Sequence, residues 1–372
     1  MQRFLLGHSI GKNASDLVKE CLDQIGDVPD DANFGFAYAT DAVADELHRI
    51  INLLKLQTGI DHWTGTIGTG ICVTAHEYYD QPALALMVAT FPEASFKMIP
   101  TQQSDVQGFI SGARAWYEKN FSHFGIVHGD PTNPITPALF EAVAQSVPDG
   151  FFVGGLTSSN GHNLQIADEV TSGGISGVVF SDALAVAVGH TQGCTPLGAR
   201  HEITACERNL LIELDGRPAL DVLREDIGEV LAKDLRRIGG YIFAGLPIQG
   251  SDTGDYMVRN LVGIDTENKL VAIGDHPTEG DEFLFCQRDG NSAREDMQRM
   301  LDSIGRRIDG QPRGAVYYTC LGRGRYQFGE DSEELKMISA RLGDIPLVGF
   351  FANGEFFHNR LYGYTGVLTV FL

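Results

Sequence analysis
Cysteine is sparse in this chain: six in 372 residues, with Cys21, Cys72, Cys194, Cys206, Cys286 and Cys320 far apart and no C-x-x-C pair among them. That spacing excludes a disulfide framework and a zinc ribbon, and a reducing, cytoplasmic setting fits it best. Positive charge is short as well. Against 49 Asp and Glu there are 28 Lys and Arg, a formal net charge of −21. Nucleic acid needs a basic face that displaces counterions, and anionic membrane surfaces attract basic segments, so neither is expected as a partner. No apolar run approaches the roughly 20 residues that span a bilayer, and the start, Met1 to His8, lacks the apolar core of a signal peptide. A soluble protein is expected.

The common nucleotide and metal motifs are missing too. Gly322-Arg323-Gly324 is no dinucleotide fingerprint, because Gln327 stands where the third glycine belongs; Gly68 and Gly70 fail likewise at Val73. There is no Walker A sequence. His76-Glu77 and His201-Glu202 each begin a zincin motif, but Asp80 and Ala205 occupy the second histidine's place.

What is present is ordinary globular composition, 43% hydrophobic and 21% charged. Single cores stop growing near about 250–300 residues, so two domains are expected. The boundary is placed at the Asp215-Gly216 turn, giving domains 1–215 and 216–372. No long linker separates them.

Three segments repeat one order of strand, polar loop, helix, strand, Gly loop and strand. The last holds a strand from Ala315 to Thr319, the loop Cys320-Leu321-Gly322-Arg323-Gly324-Arg325, a helix near Ser332 to Leu342, a strand from Ile345 to Phe351, and a closing strand from Thr365 to Phe371. Asp331 and Glu334 have capping-box spacing at the helix start. In the second, Phe124 to Asp130 reads as strand and loop, Thr136-Pro137 opens a helix, Phe151 to Gly161 is strand and Gly loop, and Gly177 to Val188 the return strand. The first has a strand from Phe34 to Ala39, a helix carrying Val43, Leu47, Ile50, Ile51 and Leu54, a Gly loop from Trp63 to Ile71, and a return strand from Ala83 to Thr90. Duplication of one building block explains the likeness.

Elsewhere, Asn13 to Ile25, Thr101 to Asn120, Pro218 to Arg237 and Asn291 to Ile308 have helical spacing. Thr191 to Gly198 reads as a turn-rich crossing, and strands are expected near 202–213, 241–248, 256–264, 269–273 and 281–287. The fold class is α/β of the mixed α+β kind: two pseudo-similar lobes of repeated β-α-β-β units, with mixed sheets and crossover helices.

Loops at strand ends are where α/β proteins place ligands. Arg323, and less so Arg325, flank Gly324, so that guanidinium and backbone N–H groups, including those of Gly322 and Gly324, can clamp an anion. The plainer alternative for Arg323 is an ion pair with Glu330, Asp331 or an interface carboxylate. Cys320 ends an apolar strand, where an inert buried thiol is the default; as a nucleophile it needs a base nearby. Glu355, after Asn353 and Gly354, can bind an ammonium group or cap a turn. Thr157, Ser158 and Ser159 can hydrogen-bond a ligand or form an ordinary turn. His190, His128 and His162 lie near strand ends, and haem ligation, with His190 foremost, stays open beside the reading that no cofactor binds.

Taken together these residues resemble the FIST family, with paired FIST N and FIST C domains. The resemblance rests on Val153-Gly154-Gly155, Gly173 to Val178, Gln192 to Gly198, Glu213 to Leu220, Cys320 to Gly324, Gly349-Phe350-Phe351 and Gly354-Glu355, in that order. It implies a sensory protein binding a small polar ligand, such as an amino acid or other carboxylate; some members bind haem and sense nitric oxide. The chain ends at Leu372 without an output domain, so the expected partner is a separate signalling protein or a neighbour in a homo-oligomer. Glu355 to Arg360 departs from the family's glycine-rich loop in being shorter and more aromatic. The reading is a cytoplasmic binding protein with its ligand between the domains. The alternatives are a haem-based nitric oxide sensor and an enzyme using Cys320 as nucleophile or Glu355 as acid/base.

Overall fold
A computed structural model of the chain describes residues 4–147, 150–248 and 256–372. It falls into two compact units, Met1–Thr191 with Asp296–Leu372, and Gln192–Glu295. Both mix helices with strands, as the sequence leads one to expect.

In the first unit one motif occurs three times. The first repeat is β1 (Phe4–Ile10), α1 (Ala14–Ile25), β2 (Phe34–Thr40), a short 3-10 turn, α2 (Leu47–Thr58), β3 (Trp63–Gly68), a hairpin of β4 (Gly70–Val73) and β5 (His76–Tyr79), and β6 (Ala83–Ala89). The second is β7 (Phe96–Gln102), α3 (Gln107–Asn120), β8 (Phe124–Gly129), α4 (Thr136–Ser146), β9 (Phe151–Leu156), the hairpin β10 (Gln165–Ala167) and β11 (Glu169–Thr171), and β12 (Ile175–Phe180). The third opens with β13 (Val186–Gln192), after which the second unit is inserted in the chain.

That second unit contains β14 (Cys194–Glu207), β15 (Leu210–Leu214), β16 (Arg217–Pro218), α5 (Ala219–Asp226), α6 (Gly228–Ala232), β17 (Ile242–Pro247), β18 (Tyr256–Asp265), β19 (Leu270–Ile273) and β20 (Glu282–Arg288). Its strands run in the order β14-β20-β17-β18-β19-β15, and β14 also pairs with β15, so the antiparallel sheet closes on itself. Closure leaves few free edges. Leu220 and Leu223 of α5 share a core with Ile203, Leu211, Ile242 and Phe285. Gly228, at φ +75, ends the long helix that the spacing predicts over 218–237.

The third repeat resumes with α7 (Gly290–Arg307), β21 (Gly314–Cys320), the single turn α8 (Arg325–Phe328), α9 (Glu333–Leu342), β22 (Leu347–Ala352), the hairpin β23 (Glu355–His358) and β24 (Arg360–Tyr362), and β25 (Thr365–Phe371). Three six-stranded sheets share one order: β1-β6-β2-β3-β10-β11, β7-β12-β8-β9-β23-β24 and β13-β25-β21-β22-β4-β5. Each repeat therefore lays its hairpin on another repeat's sheet, in a closed cycle.

One face of all three sheets packs into a common apolar core that includes Phe36, Phe124, Val316, Phe350 and Phe371. In the first two repeats, α1 with α2 and α3 with α4 cover the opposite sheet face in separate clusters. At the middle of each repeat a glycine is forced by contact. A Cβ on Gly65, Gly154 or Gly349 would lie 1.8, 1.8 or 1.7 Å from the carbonyl oxygen of Ala37, Val127 or Tyr317 on the adjacent parallel strand. Those three contacts fix the alignment of the repeats.

One residue further on, the alignment brings together Tyr38, His128 and Tyr318. Their ring centroids are 5.6, 6.1 and 5.9 Å apart pairwise, a nearly equilateral triangle, and Phe350 stacks on Tyr38. Tyr38 Oη lies 3.1 Å from His128 Nε2 and 2.8 Å from Tyr318 Oη. Burial holds His128 down to about 3, so its ring is neutral.

Several local expectations need correction. Trp63 to Ile71 is not a loop but two strands, because its glycines permit close sheet contacts. Thr191 to Gly198 lies largely within β13 and β14 rather than in a turn-rich crossing. The return strand of the second repeat ends at Phe180, and β13 is a separate strand. The helix expected from Thr101 begins at Gln107, with β7 before it. The capping box at α9 does not form: Asp331 and Ser332 take left-handed backbone, Ser332 makes no side-chain cap, and Glu334 turns inward.

Candidate functional site
The polar loop after β21 and the start of the β23 hairpin bring Cys320, Arg323 and Glu355 together within the first unit. A turn closed by Arg323 N–H donating to Cys320 O at 2.8 Å directs the arginine inward. Gly324 follows at φ +52; a Cβ there would sit 2.1 Å from Tyr79 Oη, so only glycine fits.

Arg323 is fully buried, and so is its partner Glu334. Arg323 Nε donates to Glu334 Oε1 at 2.8 Å, and Nη2 stands 2.7 Å from the same oxygen. Tyr317 Oη donates to Oε1 at 2.6 Å, and Gly324 N–H donates to Oε2 at 2.8 Å. Glu334 is thus a saturated acceptor. Burial works against the charge of Arg323, but the adjacent Glu334 more than offsets this and holds its pKa above the ordinary value. Nη1 has no hydrogen-bond partner among the described residues.

Glu355 has no exposed surface. Its Oε2 accepts from Thr365 Oγ1 at 2.6 Å and Thr365 N–H at 3.2 Å, while Oε1 has no partner among the described residues. Burial pushes its carboxyl up to about 8, although Thr365 and the Arg323 charge pull the other way. Glu77, brought by β5, is likewise raised to about 8 by burial and then by Glu334, and its Oε1 also lacks a hydrogen-bond partner among the described residues.

Cys320 is partly exposed. Crowding around the sulfur, then the Glu355 charge, push the thiol up to about 12; the backbone N–H groups of Gly322 and Tyr364 and the Arg323 charge act in the opposite sense.

The second repeat provides an internal control. Counting from the glycine contacts, Cys320, Arg323 and Glu355 correspond to Asp130, Asn133 and Gln165. Asp130 accepts from Thr132 N–H and Gly173 N–H, the counterparts of the amides that face Cys320. Asn133 Nδ2 donates to Gln103 O and Gly173 O while its Oδ1 accepts from Ile135 N–H. Gln165 Nε2 donates to Gly174 O, and its Oε1 accepts from Ser176. Every polar side-chain atom of Asn133 and Gln165 is engaged. In the third repeat the same frame carries thiol, guanidinium and carboxyl, with Nη1 and Oε1 left over.

The remaining candidates lie apart from this group or are engaged elsewhere. Arg325 pairs with Asp80 at 2.6 Å and lies over the rings of Tyr79 and Tyr326, so it is no second clamp on the buried side. Asn353 is exposed, with its N–H on Leu156 O. Thr157 bonds Thr66, and Ser158 donates to Phe351 O and accepts from Thr69 N–H. Ser159 accepts from Gly161 and His162 N–H in a turn. The ring of His190 packs on Phe357 and Tyr362, with centroids 4.6 and 4.8 Å away.

Sequence reasoning missed Glu334 and Tyr317 as the arginine's partners, and met Glu77 only as half of an incomplete zincin motif. A signal for the first was present: Glu334 shares the buried stripe of α9 with Leu335, Ile338 and Leu342, an unusual place for a carboxylate.

The paired frame and its loops match two family descriptions, the FIST N domain over residues 33–217 and the FIST C domain over residues 219–358. The chain belongs to the FIST family, which has been proposed to sense small ligands in signalling. It is similar to the uncharacterized proteins MT0656 and Rv0628c of Mycobacterium tuberculosis, each 30% identical over 323 residues and 83% of both lengths. It also resembles the uncharacterized protein Mb0898c of Mycobacterium bovis, 29% identical over 348 residues, covering 90% of this chain and 88% of that protein. No helix among the described residues is long and apolar enough to cross a membrane.

Proposed function
We propose that this chain is a cytoplasmic sensory protein that binds a small carboxylate-bearing ligand at Arg323, Glu355 and Cys320. A single observation carries the reading: Arg323 Nη1 and Glu355 Oε1 are buried without hydrogen-bond partners among the described residues, whereas their counterparts in the second repeat are fully engaged. An unsatisfied buried donor or acceptor costs about 1–3 kcal/mol, so a frame that repeats elsewhere with that cost removed gives the exception a use. A ligand carboxylate accepts from Nη1, and a second polar group of the ligand meets Oε1; amino acids belong to this class. Access is from the partly exposed Cys320, Leu321 and Gly322. Output passes to a separate signalling protein or a second copy, through the ligand's differential affinity for two states.

The test is a thermal-shift panel of small carboxylates on the intact protein and on Arg323→Lys, which keeps a cation beside Glu334 but removes the Nη1 donor. A ligand at 100 times its Kd stabilises the wild type by about 2.7 kcal/mol, and the variant loses most of that gain. A wild-type melting temperature unmoved by every carboxylate would overturn the reading.

A further inference from the structure
Cys320 is the one member of this group whose chemistry exceeds binding: burial holds its thiol protonated, so it reacts where a base takes the proton, and backbone donors and a carboxyl stand beside it. Gly322 N–H and Tyr364 N–H face its sulfur. The corresponding amides in the second repeat, those of Thr132 and Gly173, hold the carboxylate of Asp130. In the first repeat the counterpart Thr40 Oγ1 accepts from Ala83 N–H. In the second and third repeats the position is thus a cradle of two backbone donors, which receives an acidic side chain in the second and a thiol in the third; in the first, Thr40 takes a single amide and its hydroxyl donates to Gln81 O. Such a nest stabilises negative charge on whatever atom it holds.

A proton acceptor stands beside it. Tyr364 N–H faces the thiol, and the next amide, Thr365 N–H, donates to Glu355 Oε2 at 3.2 Å, so consecutive amides of one strand end serve the two side chains. Glu355 Oε1, buried and unpartnered, remains for the thiol proton. Glu334 is excluded from that role because Arg323, Tyr317 and Gly324 already donate to it. A backbone turn closes between Cys320 and Arg323, and the Arg323 charge acts on the thiol.

We infer that the site captures an oxo acid, a carbonyl compound bearing a carboxylate, as a reversible hemithioacetal on Cys320. This rests on the carboxylate-binding reading above. Arg323 Nη1 holds the carboxylate and sets the neighbouring carbonyl carbon against Sγ. Glu355 in its carboxylate form takes the thiol proton as the S–C bond forms and the carbonyl π pair moves onto oxygen. The proton then passes from Glu355 to that oxygen, so the S–H adds across the C=O and no oxidant or co-reactant is needed. The amide cradle stabilises the sulfur while the proton is in transit.

Glyoxylate and glycolate separate this chemistry from anion binding, since glycolate carries the carboxylate without the electrophilic carbon. Affinities are measured calorimetrically for wild type, Cys320→Ser and Glu355→Gln. In parallel, glyoxylate isotopically labelled at its carbonyl carbon is followed by NMR. The expected result is a protein-bound carbon resonance on wild type that is absent from Cys320→Ser, with glyoxylate affinity falling in that variant by at least about tenfold more than glycolate affinity does. Glu355→Gln slows appearance of the bound resonance. Equal glyoxylate affinity in wild type and Cys320→Ser, with no bound resonance, overturns covalent capture and leaves the carboxylate site standing. Failure of both acids to bind wild type overturns the carboxylate reading and the capture with it.

Discussion

At Glu355 a carboxyl with no exposed surface keeps one oxygen on Thr365 and leaves the other without a donor, and its pKa rises to about 8 from 4.5. Between those values the folded state holds a proton that the unfolded chain has released. Stability is therefore greatest below the unfolded value and falls as pH rises toward the folded one, by about 1.4 kcal/mol per pH unit for each such group. Glu77 adds a second contribution of the same sign. Denaturant titrations across this window will show declining stability in the wild type and a shallower decline in Glu355→Gln, since one titrating group has gone; identical slopes would remove Glu355 as a source. Arg323 behaves differently. Arg323→Ala strands the Glu334 carboxylate in the interior, and breaking a buried pair in this way costs about 3–5 kcal/mol. Equilibrium unfolding measures it directly, and for that reason Lys is the informative replacement in binding work. In the central triangle, Tyr38→Phe removes the hydroxyl that His128 and Tyr318 share, leaving two buried polar groups unpaired at about 1–3 kcal/mol each. A loss below about 0.5 kcal/mol in urea melts would mean that the triangle is not held by those bonds.

Among the elements, β2, β8 and β21 are legible in the sequence, because short β-branched and aromatic runs between polar loops admit little else. The strands β3 to β5 are not. Gly65, Gly68 and Gly70 look like loop punctuation, yet Gly65 is needed where β3 crosses the Ala37 carbonyl. The same physics yields a prediction: Gly349→Ala pushes a methyl against Tyr317 O and separates β22 from β21. Its cost falls in the large range reserved for backbone clashes, above about 4 kcal/mol, to be read as lost soluble expression or a collapsed melting temperature. Helix α9 shows a different limit of sequence reading. Asp331 and Glu334 have the spacing of a capping box, but the left-handed backbone at Asp331 and Ser332 rotates Glu334 to the core side. That Cys320, Arg323 and Glu355 come together as a candidate site is legible in part, from their places in loops at strand ends. That Arg325 faces Asp80 instead depends on β5, which arrives from another repeat.

For the molecule as a whole, the cyclic exchange of hairpins among the three sheets sets the cooperativity of the first unit. Solenoid repeats contact only their neighbours and can unfold from an end. Here each sheet holds strands from two repeats, so when one repeat opens each of the other two loses a pairing partner. Hydrogen exchange followed by mass spectrometry will find β2, β8 and β21 sharing one slow rate near that of global unfolding. Three separate rates would show that the repeats open independently.

The triangle of Tyr38, His128 and Tyr318 has a consequence for how such a chain acquires chemistry. Three identical single-repeat chains assembled about one axis must carry the same side chain in each amide cradle, whatever that side chain costs. Joined in tandem, the three positions are freed from one another: Thr40 and Asp130 bind back into the frame, and the third carries the thiol of Cys320. Fusion turns a symmetric scaffold into one with a single chemically distinct corner, while the other two go on supplying the rigidity that it needs.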